Sequence, residues 1–530
     1  MQKSLLPNWQ TLSLKQQVAQ MVVVRASGHL FDSQIRYPQW EPPNATLQRW
    51  LADLQVGGVI VLGGSGAELK ERSRQLQNWA KIPLLIAADI EEGTGQRFDG
   101  ATWFPPPMAL SAIENRDRAV ALAEQMGTIT AREALALGIN WILAPVVDVN
   151  NNCDNPVINV RAFGETAATV SQLTTAFIRG AQHYPALTTA KHFPGHGDTA
   201  TDSHLELPAI PHPEARLFEV ELPPFQSAIA AGVDSVMSAH LLIPAWDEKR
   251  PATLSPDILT GQLRQKLGYE GLIVTDALVM GGVANFTDFR QVCVMAVEAG
   301  ADILLMPQDP EAAIEAVYEA VGEGRIERAR IEASLQRIWK AKEKTLTFRE
   351  SLSIEAIAQP EARETALEIV RASLKSGGPL PLVRATQGAL NLIVADDLLN
   401  CNFLGTHTPA VAVPKQLGYE LRLIDQQGWI DWDSVPPGTL VQIFSRGNPF
   451  RGSIGLRDSI QEGIKNLLRT AKIGGLAIYG NPYVWQWLRP YLPTHLPWSF
   501  SYGQMPLAQE AVSQVLLDVR GDRVASGAFI

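Results

Sequence analysis

The sequence predicts an α/β protein: a TIM-type (β/α)8 barrel followed by a smaller αβα sandwich domain. Three observations carry that prediction. Strand-length apolar runs recur eight times in the first two thirds of the chain, amphipathic stretches lie between them, and polar residues suited to chemistry stand where the runs end. A run that is apolar on both faces needs cover on both sides, which is the condition of a strand in a parallel sheet. Eight such units over about 340 residues suit a closed barrel better than an open doubly wound sheet.

In chain order, Ser13-Leu14-Lys15-Gln16 has the form of a capping box opening a short helix, which runs into the first apolar segment, Met21-Val22-Val23-Val24. The next runs are VGGVIVLG (56–63), PLLIAADIE (83–91), WILAPVVDV (141–149), ALTTAKHF (186–193), SVMSAHLLI (235–243), GLIVTDAL (271–278) and ADILLMP (301–307). Between them LKERSRQLQNWA, RAVALAEQMGTITAREALAL and TVSQLTTAFIRGAQHY repeat apolar residues at three- and four-residue spacing, the mark of a helix with one buried face. RIERARIEASLQRIWKAKEK, from Arg325, reads as the last barrel helix. The expected divisions are a barrel over 1–345, a helical linker over 346–375 and a sandwich over 376–530, with the Gly/Pro cluster of SLKSGGPLPL (373–382) marking the boundary. In the second domain ALNLIVAD (389–396), YELRLID (419–425), TLVQIFSR (439–446) and GGLAIYG (474–480) alternate with helices expected at Asp458 to Thr470 and Met505 to Leu517. Ser445-Arg446-Gly447-Asn448 reads as a surface turn.

Composition narrows the function. A chain of 530 residues that is 46% hydrophobic is ample for two domains. A net charge of -10 leaves no basic footprint for nucleic acid, and no apolar run reaches the length of a membrane span. The first 20 residues lack the apolar core of a signal peptide. Cys153, Cys293 and Cys401 are few, scattered and odd in number, which argues against a disulfide framework or a thiolate zinc site. A cytoplasmic protein is expected, with no nucleic-acid or membrane partner.

A barrel should carry its working residues at the C-terminal ends of its strands. Asp89, Asp148, Lys191, His192, His240, Asp276 and Met306 end the third to eighth runs. Asp148 reads as a cap or loop hydrogen-bonder. Asp276 follows Gly271-Leu272-Ile273-Val274-Thr275 and is delivered from a buried strand toward the mouth, where an unpaired charge is costly without a use. The densest stretch is KHFPGHGDTATDSHLELP (191–208), with His192, His196 and His204, Asp198 and Asp202, and Lys191. Imidazoles and carboxylates held this close point to proton transfer or metal binding.

KHFPGHGDTATDSH, with NPVINVRAFGE (155–165), MSAHLLIPAWDEKRPATLS (237–255) and IVTDALVMGGV (273–283), resembles glycoside hydrolase family 3, in its β-N-acetylglucosaminidase branch. The resemblance covers the whole barrel, and more weakly the second domain. It implies Asp276 as nucleophile, His204 as general acid/base with Asp202 as its partner, and Asp89, Arg97, Arg161, Lys191 and His192 as sugar-binding residues. Its implied activity is retaining removal of terminal β-linked N-acetylglucosamine, with peptidoglycan-derived muropeptides as substrate and no cofactor or metal. A monomer or weak homo-oligomer is expected.

The residues suit those roles. Retaining glycosidases need one carboxylate to attack and a second group to protonate the leaving oxygen and later deprotonate water, and an imidazole can do both near neutral pH. The spacing in Asp202-Ser203-His204 lets an extended backbone put carboxylate and ring on one side. The family's DQEGG-type segment is altered: Asp89-Ile90-Glu91-Glu92-Gly93 keeps Asp89, Glu91 and Gly93 but not the second and fourth positions, a change expected on the aglycone side. Two other readings stay open: a metal-dependent hydrolase that uses the loop histidines, and a catalytically idle sugar-binding protein.

Overall fold

The computed structural model describes residues 6–200, 206–347, 352–382, 388–398, 401–425, 428, 430–446 and 455–517. All eight expected barrel strands form. They are β1 (Val22–Ser27), β2 (Gly58–Leu62), β3 (Leu85–Ala88), β4 (Trp141–Ile142), β5 (Thr189–Phe193) and β6 (Ser235–Ser238), then, after a hairpin of β7 (Leu242–Ile243) and β8 (Asp247–Pro251), β9 (Leu272–Thr275) and β10 (Leu304–Leu305). The ladders group them as a five-stranded sheet, β10-β1-β2-β3-β4, and a three-stranded sheet, β5-β6-β9. Single parallel bridges close the ring: Trp141 and Val146 pair with Leu187 and Lys191, and Val274 pairs with Ile303. β3, β6 and β9 are buried at every residue, which is why their sequences are apolar without alternation.

The interior is packed rather than hollow. Trp141 is fully buried, and its indole N–H lies 2.9 Å from both Thr189 Oγ1 and Ser235 Oγ, which satisfies the one polar atom the ring carries inward. Outside, the helices Arg116–Ala136 and Ala167–Ala181 press backbone to backbone. A Cβ on Gly127 would stand 2.1 Å from the Phe177 carbonyl oxygen, so only glycine fits there. The capping box read at Ser13 is present, with Ser13 and Gln16 exchanging side-chain and backbone bonds.

At the N-terminal face of the barrel two buried charges are anchored. Lys342, on the last barrel helix (Arg328–Leu346), donates 2.7 Å bonds to Gln20 Oε1 and the Pro83 carbonyl. Asp302, just before β10, takes ion pairs from Arg264, Arg330 and Arg337.

The helix Pro360–Ser373 leads into the second domain, and β11 (Lys375–Gly377) already belongs to that domain's sheet. With β12 (Leu390–Ala395), β13 (Glu420–Asp425), β14 (Thr439–Ser445), β15 (Ile473–Gly480) and β16 (Trp498–Ser501) it forms a sheet of order β11-β16-β15-β14-β12-β13. Only the β11–β16 pair is antiparallel. Alternate residues serve two cores: Leu392 and Val394 join the cluster continuous with the barrel, whereas Ile393 and Ala395 pack with Phe444, Tyr479 and Leu516 on the other face. The helices Asp458–Arg469 and Pro506–Leu517 stand where their sequences place them.

Candidate active site

The site is assembled from strand ends. Asp89 stands immediately beyond β3, and its carboxylate accepts a 2.8 Å bond from Lys191 Nζ. The same ammonium lies 2.6 Å from Glu91 Oε1, and the Arg161 guanidinium grips Glu91 with two parallel bonds of 2.8 Å. Arg97, at the exposed rim, donates from Nε to the Asp89 carbonyl at 3.0 Å. Two cations and two carboxylates therefore share one cluster. Burial pushes the Glu91 carboxyl up, but Arg161 and Lys191 outweigh it and hold the group well below the usual carboxylate range. Burial likewise pulls Lys191 down, and Asp89 and Glu91 reverse it, leaving the ammonium firmer than an ordinary lysine.

The register of β5 against β6 shifts between Lys191 and Phe193. That irregularity breaks the strict alternation of a strand, so consecutive side chains both engage the mouth. Lys191 reaches Asp89, and the His192 ring lies 2.8 Å from Asp148 Oδ2. Asp148 is fully buried and also accepts from the backbone N–H of His192 at 3.1 Å and of His196 at 2.6 Å. This is the loop-bonding role read for it in the sequence, with a second task of orienting an imidazole. Burial raises the Asp148 carboxyl, and the adjacent His192 more than compensates, so its titration lies below the ordinary value.

The histidine-rich segment is pinned at both ends. Asn155 Nδ2 donates to the carbonyls of His196 and Gly197 at 2.8 and 2.9 Å. A Cβ on Gly197 would sit 1.7 Å from the Val149 carbonyl oxygen, so this glycine lets two loops touch. The buried His196 ring bonds Thr199 at 2.9 Å, and burial pushes its imidazole down to about 4, against the pull of Asp148 and Asp276 toward the protonated form. Asp198 is taken up by His212 and Arg216. Downstream, Pro208 and Ile210 exchange backbone bonds of 2.9 Å with Leu242. Asp202 and His204 lie between these anchors, outside the described residues.

Asp276 directly follows β9, half-buried; its N–H donates to the Ser238 carbonyl at 3.1 Å, and one carboxylate oxygen accepts from Ala277 N–H at 2.7 Å. His240 braces the residue that follows it. That ring is fully buried, with Nδ1 2.8 Å from Thr253 Oγ1 and Nε2 3.1 Å from the Ala277 carbonyl, so both nitrogens are engaged in holding the turn. Among the described residues no three or more His, Cys, Asp or Glu side chains converge as a metal cage would.

The structure thus brings Asp89, Arg97, Arg161, Lys191, His192 and Asp276 to one face. Sequence reasoning left Glu91 out of the site, although it occupies a matching position in the altered segment; its two cationic partners, Arg161 and Lys191, are the reason it belongs. Arg446 has a role that its local sequence did not show. Read in the sequence as part of a surface turn, it forms an ion pair with Glu92, which is 1% exposed and also accepts from the Trp103 indole at 3.0 Å. A buried carboxylate needs a cation, and this one comes from the second domain. Gly447 and Asn448 fall outside the described residues.

A parallel eight-stranded barrel with charged groups gathered at its mouth, leaning on a three-layer domain, defines a two-domain (β/α)8 protein with its site at the C-terminal face. Residues 13–341 match the family described as Glycosyl hydrolase family 3 N terminal domain, and residues 382–518 match Bacterial Glycosyl hydrolase family 3 C-terminal domain. The chain belongs to glycosyl hydrolase family 3. Among curated relatives, Beta-hexosaminidase A of Pseudoalteromonas piscicida is 34% identical over 391 residues, 67% of this chain and 65% of that protein. Beta-N-acetylglucosaminidase/beta-glucosidase of Cellulomonas fimi is 32% identical over 62% of this chain and 61% of that protein, so the chain spans less than two thirds of either relative. A solved glycoside hydrolase family 3 beta-N-acetylglucosaminidase from Paenibacillus sp. str. FPU-7 is similar over 95% of this chain and 96% of that one, at 31% identity and a TM-score of 0.78.

Proposed function

We propose that this chain is an exo-acting, retaining β-N-acetylglucosaminidase that removes terminal β-linked N-acetylglucosamine, with peptidoglycan-derived muropeptides as its natural substrate. The observation that carries the reading is the gathering at one barrel mouth of a strand-end carboxylate, Asp276, and the Asp89–Lys191–Glu91–Arg161 cluster. Similarity to the Paenibacillus enzyme over nearly its whole length supports the choice of sugar.

In this mechanism Asp89 accepts hydrogen bonds from sugar hydroxyls, while its bond from Lys191 keeps it in place. Asp276 attacks the anomeric carbon as the bond to the leaving oxygen breaks, and His204 gives that oxygen its proton. A glycosyl ester on Asp276 results. His204, now neutral and oriented by Asp202, takes a proton from water, whose oxygen attacks the same carbon and frees the carboxylate. Asp148, His240 and Asn155 have no part in these steps; they bond His192, the Ala277 carbonyl beside Asp276, and the carbonyls of His196 and Gly197. The free thiols Cys153, Cys293 and Cys401 suit a reducing compartment, the cytoplasm in this reading.

The deciding experiment is nitrophenol release from the 4-nitrophenyl β-glycosides of N-acetylglucosamine and glucose, with and without EDTA. Hydrolysis of the N-acetylglucosaminide alone, unchanged by chelator, is expected. Loss of activity with EDTA would make the loop histidines metal ligands, and silence on both sugars would leave a binding protein.

A further inference from the structure

Glu92 has no part in the mechanism above, yet it is among the most deeply buried carboxylates of the chain. It lies one residue from Glu91 and three from Asp89, inside the segment that shapes the sugar pocket. That segment is tightly drawn: Glu92 N–H donates to Gln96 Oε1 at 3.1 Å, Phe104 N–H donates to the Glu92 carbonyl at 2.8 Å, and Gly93 takes a φ of +84° with Phe104 and Thr102 pressed against it. A group so placed can move only by dragging its neighbours.

What holds the Glu92 carboxylate comes from 354 residues away: both terminal nitrogens of Arg446 bond its two oxygens, one of them at 3.2 Å. Arg446 is itself fixed. It follows β14, and its N–H donates to the carboxylate of Asp396, which follows β12. β12 pairs with β13 on one side and β14 on the other, so Arg446 and Asp396 flank the point where the strand order turns back. In open α/β sheets that crevice, at the carboxyl ends of the strands, is where ligands bind. Here it receives a barrel loop instead. A second contact lies beside the next strand: Tyr483 of the second domain bonds Asn150 and Glu165, each at 2.7 Å, two residues past Asp148 and in the loop that follows.

We propose that Arg446 is a positioning residue for the sugar pocket: through Glu92 it holds the Asp89–Arg97 segment in its binding shape, so the second domain sets the affinity of a site built wholly from the barrel. The proposal rests on the N-acetylglucosaminidase reading for its kinetic test, and adds to it a role for the second domain. Removing Arg446 strands a buried carboxylate, which must then protonate or turn outward. Neutralising Glu92 at the same time removes that conflict.

The test uses the full-length chain carrying Arg446→Met, Glu92→Gln, and both together, with Arg118→Met as control; Arg118 pairs with Glu368 between a barrel helix and the connecting helix, away from the mouth. With 4-nitrophenyl N-acetyl-β-glucosaminide, Arg446→Met should raise KM about tenfold with kcat within about twofold, a loss of binding shared by ground and transition states. The double variant should recover most of the loss, and the control should match the parent. An unchanged KM in folded Arg446→Met, or no recovery in the double variant, would overturn the proposal. If the parent itself fails to turn over the substrate, the activity reading fails separately. Hydrogen exchange at residues 89–97 still decides the positioning role: faster exchange in Arg446→Met supports it, and identical exchange refutes it.

Discussion

Asp276 stands directly after β9 at the barrel mouth, with one carboxylate oxygen held by the Ala277 N–H. Asp276→Asn should lower kcat/KM on a nitrophenyl N-acetylglucosaminide by at least about a thousandfold with near-native melting, since it removes the covalent step without emptying the pocket. His204→Ala should spare an activated leaving group and lose most activity on a disaccharide, because only the poor leaving oxygen needs the proton. Single-turnover and steady-state kinetics on the two substrates would check both. At this scale much of the site was legible: Asp89, Lys191 and Asp276 stand at strand ends, and a strand end is visible in the sequence. Glu91 and Arg446 were not, for a common reason. Their importance lies in which charge faces them, and pairing across 70 or 354 residues leaves no trace in local spacing.

Among the elements, β5 and the segment after it carry most of the arrangement. Both anchors of that segment are backbone carbonyls and amides served by residues from other loops, chiefly Asn155. Asn155→Ala would leave the buried His196 and Gly197 carbonyls without their side-chain donor, at a cost of about 1–3 kcal/mol. The expected outcome is a lower melting temperature and a drop in kcat larger than the change in KM, since the chain leading to His204 loses its upstream tie; calorimetry and kinetics would show it. The long apolar runs announced every barrel strand, because burial on both faces leaves an unmistakable composition. β11 and β16 escaped notice. Lys375-Ser376-Gly377 is too short and polar to read as a strand, and it forms only because Trp498–Ser501 presents an open edge to it. A tertiary vacancy of that kind is not written in the segment that fills it.

For the whole molecule, the fold balances a wet charged face against an N-terminal face where Lys342 is sealed in. Burial pushes that ammonium down to about 7. Unfolded, the same lysine titrates near 10.4, so between the two values the unfolded chain holds a proton that the folded chain lacks. Stability should therefore rise with pH across that window, by about 1.4 kcal/mol for each pH unit from this group alone. Lys342→Met should flatten the rise, and denaturant unfolding of parent and variant from pH 7 to 10 would measure it.

The barrel wall is not uniform. Strand ladders bind it into two sheets, and single bridges with the backbone bonds beside them, such as Thr189 N–H to the Ala144 carbonyl and Thr275 N–H to the Ile303 carbonyl, join the sheets at β4–β5 and β9–β10. The ties from Lys191 to Asp89 and from His192 to Asp148 pass directly over the first of these seams. The side chains proposed to hold a sugar thus also tie β5 to the strands before it, and a ligand bridging them would add a further tie across the same join.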